Sequence, residues 1–162
     1  MNLTFTTLTE SNLRDVLIVL NDAFQMMGNE EVIDKRFTKS IEKLRKIGES
    51  KFKEYNIPVV AILGDEVIGY AQIGIHECIF DEKHATLWWG AIKKEYQGKG
   101  YGKQMQKHCL DLCEEQGVAE VRLTTGIENY ASQKTAISNG FVDGLAFKYK
   151  FKKDNTNEKK DF

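Results

Sequence analysis

The run Gln97-Gly98-Lys99-Gly100-Tyr101-Gly102 is the stretch whose residue types point most directly to chemistry. Three glycines in five residues open backbone conformations closed to other residues and let the main chain approach a ligand closely. The residues before the run read as a strand, and those from Gly100 to Gln116 read as a helix. The first turn of a helix offers N–H groups without acceptors and a positive dipole end of about half a charge. Loop and helix end together form an anion site suited to a pyrophosphate, and Lys99 and Lys103 add positive charge nearby. The run is not a P-loop, because Gly-x-x-x-x-Gly-Lys-Ser/Thr does not fit here. A dinucleotide fold does not suit it either, since the preceding strands form a hairpin and not a strand–helix–strand unit. A tight strand-to-helix connection without any ligand is the alternative.

Cys109 and Cys113 stand four apart on the helix after the run and would stack on one face of it. His108 adjoins them, which raises the possibility of metal ligation. It points about 100° away from Cys109, however, and no second cluster supplies further ligands. With Cys78 the cysteines number three, an odd count with no Cys-x-x-Cys pair, so no disulfide framework is expected. Free cysteine packs as a small apolar residue. Core packing without metal is therefore expected.

Strands and helices must hold the glycine run in place. Leu3 to Thr7 reads as a short strand. A helix capped by Thr9 follows, with Leu13, Val16, Leu17, Leu20, Ala23 and Phe24 at steps of three and four. After Met26-Met27-Gly28, a charged helical stretch runs from Glu30 to about Glu54, and Gly48 interrupts it or ends its first part. Pro58 opens a strand-rich region in which Val59 to Leu63, the turn Gly64-Asp65-Glu66 and Val67 to Ile75 make a hairpin. A loop from His76 to Lys83 leads to a strand from about Ala85 to Lys93, then to the glycine run and its helix, which Gly117 stops. Val121 to Thr125 is another strand, Ser132 to Ser138 a short helix, and Phe141 to Phe151 the last strand or pair of strands. The fold class expected is α+β: a mixed, mainly antiparallel central sheet flanked by helices. One domain over residues 1–151 and a polar, mobile tail over 152–162 complete the expectation.

Composition narrows the function classes. The 162 residues suffice for one domain with a real core, and 41% of them are hydrophobic, too many for a disordered chain. A net charge of -1, from 23 basic and 24 acidic residues, argues against a nucleic-acid partner. No apolar run approaches the roughly 20 residues that span a bilayer, so no membrane association is expected. Met1 to Thr9 lacks the order of a signal peptide, and a cytoplasmic protein is expected.

The stretch from Ile92 through Lys93-Lys94-Glu95-Tyr96 to Gln97-Gly98-Lys99-Gly100-Tyr101-Gly102 is similar to a strand end followed by Gln/Arg-x-x-Gly-x-Gly/Ala in the GNAT superfamily of N-acetyltransferases. Val121-Arg122-Leu123-Thr124-Thr125 after the helix, and Asn129 followed ten residues on by Asn139-Gly140-Phe141, resemble the family's later segments in order. The resemblance covers roughly Val59 to Phe147. It implies transfer of an acetyl group from acetyl-coenzyme A (acetyl-CoA) to a small-molecule or peptide amine by direct attack. It implies that the Gln97–Lys103 loop, through the amides of Gly98, Lys99, Gly100, Tyr101, Gly102 and Lys103, holds the coenzyme A pyrophosphate. The strand end near Ala91 and Ile92 would pair with the pantetheine arm as an added strand would. Asn129 would lie near the pantetheine, cap a helix, or do both. A homodimer is also suggested by the resemblance.

The pattern departs from the family where a tyrosine often precedes the Gly-Phe pair by four residues and protonates the departing thiolate; here that residue is Ala136. Tyr130 and Ser132 are near in sequence, with packing and helix capping as their simpler roles. Holding a lysine-like amine neutral at pH 7 costs about 4.6 kcal/mol, so a general base would help. His84 and Glu77 are the candidates, with Asp81 and His76 behind them; imidazole as a residue type exchanges protons near neutral pH. Each has a simpler reading as a solvated loop residue. Trp88 and Trp89 face opposite sides of their strand, one toward the core and one toward an acceptor pocket or a dimer contact. Glu30 and Glu31, beside Met26 and Met27, could attract a cationic amine or simply complement the helix dipole. The missing tyrosine keeps a second class open: a catalytically weak acyl-CoA-binding or interaction module on the same fold.

Overall fold

Leu3 and Phe5 alternate with Thr4 and Thr6, and the four residues form strand β1 (Leu3–Thr6), threonines exposed and the apolar pair packed on the core. The computed structural model describes residues 2–24, 30–47, 56–77 and 82–142. Helix α1 (Leu13–Phe24) begins after a reciprocal pairing, in which Thr9 N–H donates to Asn12 Oδ1 at 2.8 Å and Asn12 N–H to Thr9 Oγ1 at 3.4 Å. That exchange satisfies amides the helix cannot, and Thr9 is the cap expected of it. Helix α2 spans Glu30–Ile47 in the described residues. Its expected continuation to Glu54 lies outside the described residues.

Strands β2 (Asn56–Leu63) and β3 (Glu66–Glu77) form the expected hairpin, with Gly64 at φ 65° opening its turn. Pro58 sits inside β2 and not at its start. β1 ends opposite Val60, so β2 is an edge strand on that side at Pro58 and needs no N–H there. Strand β4 (Lys83–Ile92), a 3-10 turn (Lys94–Tyr96), α3 (Tyr101–Glu115), β5 (Val118–Leu123) and α4 (Tyr130–Ser138) follow. Gly117, at φ 69°, ends α3 as expected. The expected last strand and the tail fall outside the described residues after Val142.

The sheet order is β1-β2-β3-β4-β5, with the first three pairings antiparallel and the β4–β5 pairing parallel. This is the α+β, mainly antiparallel architecture expected. β5 begins at Val118, three residues before the apolar run starting at Val121 suggested, because Lys83 and His84 of β4 pair with Val118 and Glu120. One face of the sheet packs Val59, Ile68, Ile73 and Leu87 against Met105, Cys109 and Cys113 of α3. The other packs Val60, Val67, Tyr70 and Ala91 against Val16 and Val19 of α1. α2 lies outside α1, through Leu13, Leu17 and Ile33. No helix among the described residues is long and apolar enough to cross a membrane.

Candidate active site

The two edges of β4 differ. On the β3 side the ladder runs from Glu77–Lys83 to Gly69–Ile92. One irregularity interrupts it: Tyr70 pairs with Ala91 and Gln72 with Trp88, so Trp89 and Gly90 together face Ala71. Two residues opposite one is a β-bulge, which leaves a residue out of the ladder and bends the strand. On the β5 side, pairing runs from Lys83–Val118 only to Leu87–Leu123, where β5 ends. From Trp88 to Ile92 that edge of β4 has no strand beside it among the described residues. One wall of the resulting wedge is a row of main-chain N–H and C=O groups, suited to an extended amide-bearing chain.

The glycine run lies where β4 ends. Gly98 and Gly100 have φ of 74° and 83°, with nothing within 4 Å of where a Cβ would stand. Backbone conformation, not crowding, requires glycine at both. Gly100 caps α3 without any side-chain hydrogen bond, and its carbonyl accepts from Gln104 N–H at 3.1 Å. The amides of the first turn have no acceptor within the helix. Lys99 and Lys103 are exposed, and that turn carries no acidic residue. These groups fit a diphosphate. Gly90 at the bulge adds an independent sign. It is exposed, its φ is not left-handed, and nothing lies within 4 Å of its Cβ position. Neither a left-handed conformation nor packing among the described residues asks for glycine there.

The other expected residues fall into place unevenly. Ala91 and Ile92 are buried at the end of β4, on opposite faces of the sheet. The Gln97 side chain donates to the Ile92 carbonyl at 2.8 Å, holding the loop against the strand end. Asn129 is exposed and caps α4, its Oδ1 accepting from Ser132 N–H at 3.2 Å. Ser132 therefore donates to the cap and does not form it. Tyr130 is exposed, not packed, and Ala136 is buried. Trp88 is 46% exposed and so is not the core member of its pair; the Trp89 side chain lies outside the description. The indole of Trp88 lies on the β3 main chain, where a Cβ on Gly74 would come within 2.4 Å of its Nε1.

His84 lies within β4, four residues before Trp88 and about 13 Å from it along the strand. Its Nε2 is 3.5 Å from Glu82, its Nδ1 4.0 Å from Glu120, and Nδ1 is buried without a hydrogen bond. His76 pairs with it in register. Glu77 is exposed at the end of β3, opposite Lys83, and alternation puts it on the other face from His84 and Trp88. Asp81, Met26, Met27, Cys78 and the side chains of Glu30 and Glu31 lie outside the described residues. Cys109 and Cys113 are buried beneath the sheet, where burial pushes their thiols up to about 12 and about 11. His108 stacks on Phe5, ring centroids 4.5 Å apart, and turns away from them.

Three residues named in the sequence only as parts of a turn or a motif meet at the site. Glu66 Oε1 accepts from Lys93 Nζ at 2.5 Å, and its Oε2 accepts from the Tyr96 hydroxyl at 2.6 Å. The pair of donors holds the Glu66 carboxyl below its usual range, and the carboxylate pushes the Tyr96 phenol up to about 12. The Tyr96 ring in turn meets Tyr101 edge-on at 6.3 Å and carries the Lys99 ammonium at 5.3 Å from its centroid. Asn139 was expected only as part of a motif. Its Nδ2 donates to the Lys103 carbonyl at 3.1 Å and to Gln106 Oε1 at 2.8 Å, tying α4 to the first turn of α3.

Comparison with known proteins agrees with this geometry. No curated protein matches the chain by sequence. Among solved structures, a transcriptional regulator from Bacillus halodurans superposes with a TM-score of 0.74 at 19% identity, covering 91% of this chain and 100% of that one. Glucosamine-6-phosphate N-acetyltransferase from Arabidopsis thaliana gives 0.71 at 17% identity, covering 93% and 99%. AAC(6')-Iy, in complex with the bisubstrate analog CoA-S-monomethyl-acetylneamine, gives 0.71 at 14% identity, covering 94% and 99%. At these identities the likeness is one of fold. The profile of the acetyltransferase (GNAT) family matches residues 23–141, from the end of α1 to Phe141, and the chain belongs to that family.

Proposed function

We propose that this chain moves an acetyl group from acetyl-CoA to an amine by direct attack. The observation that carries the reading is the parting of β4 from β5 beside the glycine-capped start of α3. Main-chain amides from Gly98 to Lys103 would take the diphosphate, with Lys99 and Lys103 adding charge, and the β4 edge near Ala91 and Ile92 would pair with the pantetheine. Bound acetyl-CoA supplies the activated acyl group. The residue that the bulge at Trp89–Gly90 leaves out of the ladder offers one more main-chain donor in this region, of the kind that stabilises a developing oxyanion.

Packing favours one direction of approach for the amine. The face of β4 bearing Leu87 is filled by α3, whereas the face bearing Trp88 is open at the indole. The amine would enter over Trp88, near Gln72. His84 shares that face and is the proposed final proton acceptor, through water along Thr86, with Glu77 the weaker candidate from the opposite face. Amines of the amino-sugar kind are the first to test, since the solved relatives include an enzyme named for glucosamine-6-phosphate. A cytoplasmic setting belongs to the same reading. A second reading, an acyl-CoA-binding module with little turnover, is favoured by buried Ala136, which brings no acid to the place where the thiolate would leave.

Calorimetry with acetyl-CoA tests the shared part: micromolar binding is expected, and Gly100→Val should abolish it. Thiol release with amino sugars, aminoglycosides, polyamines and peptide N-termini then separates the two readings. Turnover with any of these supports the enzyme, and tight cofactor binding with silence across the panel supports the module.

A further inference from the structure

We propose that Glu66 is a positioning residue for the anion cradle, acting through Lys93 and Tyr96 to fix the glycine run to the β2–β3 turn. The inference rests on the reading of the Gln97–Lys103 loop as a diphosphate site. Glycines that permit a left-handed conformation also permit many others, so a loop with Gly98, Gly100 and Gly102 carries a large entropy of its own. A cradle of amides binds an anion well only if something outside it has already ordered it.

The ordering contacts converge on the residues just before the run. Lys93 N–H donates to the Ile68 carbonyl at 2.9 Å, and Lys94 N–H donates to Asp22 Oδ2 of α1 at 2.7 Å. Gln97 Nε2 bonds back to Ile92. Glu66 closes this set by holding the Lys93 ammonium with one oxygen and the Tyr96 hydroxyl with the other. The Lys93 side chain is only 17% exposed but that of Glu66 is 44% exposed, so the pair is partly screened and the two-point geometry, more than the charge, supplies the constraint. Tyr96 carries the constraint forward, because its ring touches Lys99 inside the run and Tyr101 at the first position of α3. A cavity of about 440 Å³ lies alongside, lined by Asp15, Asp65, Glu66, Lys93 and Tyr96 among others. The Tyr96 and Tyr101 rings also pack against the core, so Glu66 adds a polar brace to an apolar seat.

Electrostatics and positioning predict opposite signs, which makes the proposal testable. Glu66 carries negative charge near an anion site and neutralises Lys93. If charge alone mattered, Glu66→Gln would free Lys93 and tighten binding of coenzyme A. If positioning dominates, the same change weakens binding by about five- to tenfold, the worth of one ordinary hydrogen bond. Calorimetric titration of coenzyme A into the parent, Glu66→Gln, Tyr96→Phe and the double variant reads this directly. Each single change is expected to weaken binding, and the double to be no worse than about either alone, since the residues act as one unit. Amide hydrogen exchange on the free proteins gives a readout independent of ligand: residues 94–103 should exchange faster in both variants, with β2 and β3 unchanged. Unaltered or tighter binding by Glu66→Gln, or unaltered exchange of the loop, overturns the proposal. A parent that fails to bind coenzyme A overturns the diphosphate reading instead, and the brace is then decided by exchange alone.

Discussion

Gly69 and Gly90 stand almost side by side on neighbouring strands, yet they are glycines for different reasons. A Cβ on Gly69 would lie 2.5 Å from Ile92 Cδ1 and 3.1 Å from the Ala91 carbonyl oxygen. A Cβ on Gly90 would touch nothing within 4 Å. The first lies on β3 against the paired edge of β4, where the protein packs against itself and every gap costs stability. The second lies at the bulge, in the stretch of β4 that has no strand on its β5 side among the described residues. The proposed function supplies a reason for the second glycine that the protein's own packing does not.

The comparison can be broken most sharply by exchanging the two outcomes. Gly90→Leu should reduce acetyl-CoA affinity roughly a hundredfold or more, about 2.7 kcal/mol, with the melting temperature unchanged. Gly69→Leu should do the reverse and lower the melting temperature steeply, since overpacking against backbone has no cheap relief. Similar losses of stability in both variants would falsify the distinction. On the paired side, Ile68→Ala empties a fully buried site and should cost about 2–5 kcal/mol in denaturant unfolding, without a specific loss of ligand affinity in the folded fraction.

Smaller effects sharpen the same contrast. Lys99→Met and Lys103→Met should each weaken acetyl-CoA binding by only about threefold, because both ammonium groups are exposed and screened. The loss should shrink as salt rises, whereas the Gly90→Leu defect should persist in high salt. Smallest at neutral pH is the thiol effect. Cys109 and Cys113 are held protonated in the folded state, with values near 12 and 11 against 9 for the free thiol. The unfolded chain therefore loses these protons first, and stability should be complete below pH 9 and decline as pH rises from 9 toward 12. In a Cys78→Ser background, a thiol reagent at pH 8 should find nothing to modify until denaturant is added. Rapid labelling would place these residues outside the core.

Legibility followed the range of the interaction concerned. The Gly98–Gly102 run, Thr9 at the start of α1, the Gly64 turn and Gly117 after α3 are local devices, where a residue's own conformational limits or a partner three residues away decide the outcome. All were readable. Interactions across the sheet were not. The start of β5 at Val118 is decided by β4, and the end of their pairing by where the two strands part. His84 reads as an imidazole beside the cofactor strand, but only register shows that it sits opposite His76 and Glu120 at the far end of that strand. Trp88 and Trp89 could be set on opposite faces by alternation, yet which one met water depended on where α1 and α3 lay.

The amino-acid order alone was enough to determine the class of fold, the order of its elements and the segment suited to a diphosphate. Those depend on periodicity and on which backbone angles each residue tolerates, properties a chain carries in every window of a few residues. Tertiary structure alone decided that β4 would be paired along one edge and, among the described residues, unpaired from Trp88 onward on the other. It alone brought Glu66 to Lys93 and Tyr96, 27 and 30 residues away along the chain. Those contacts exist only once separate strands and helices have stacked, because no short stretch of sequence contains both partners.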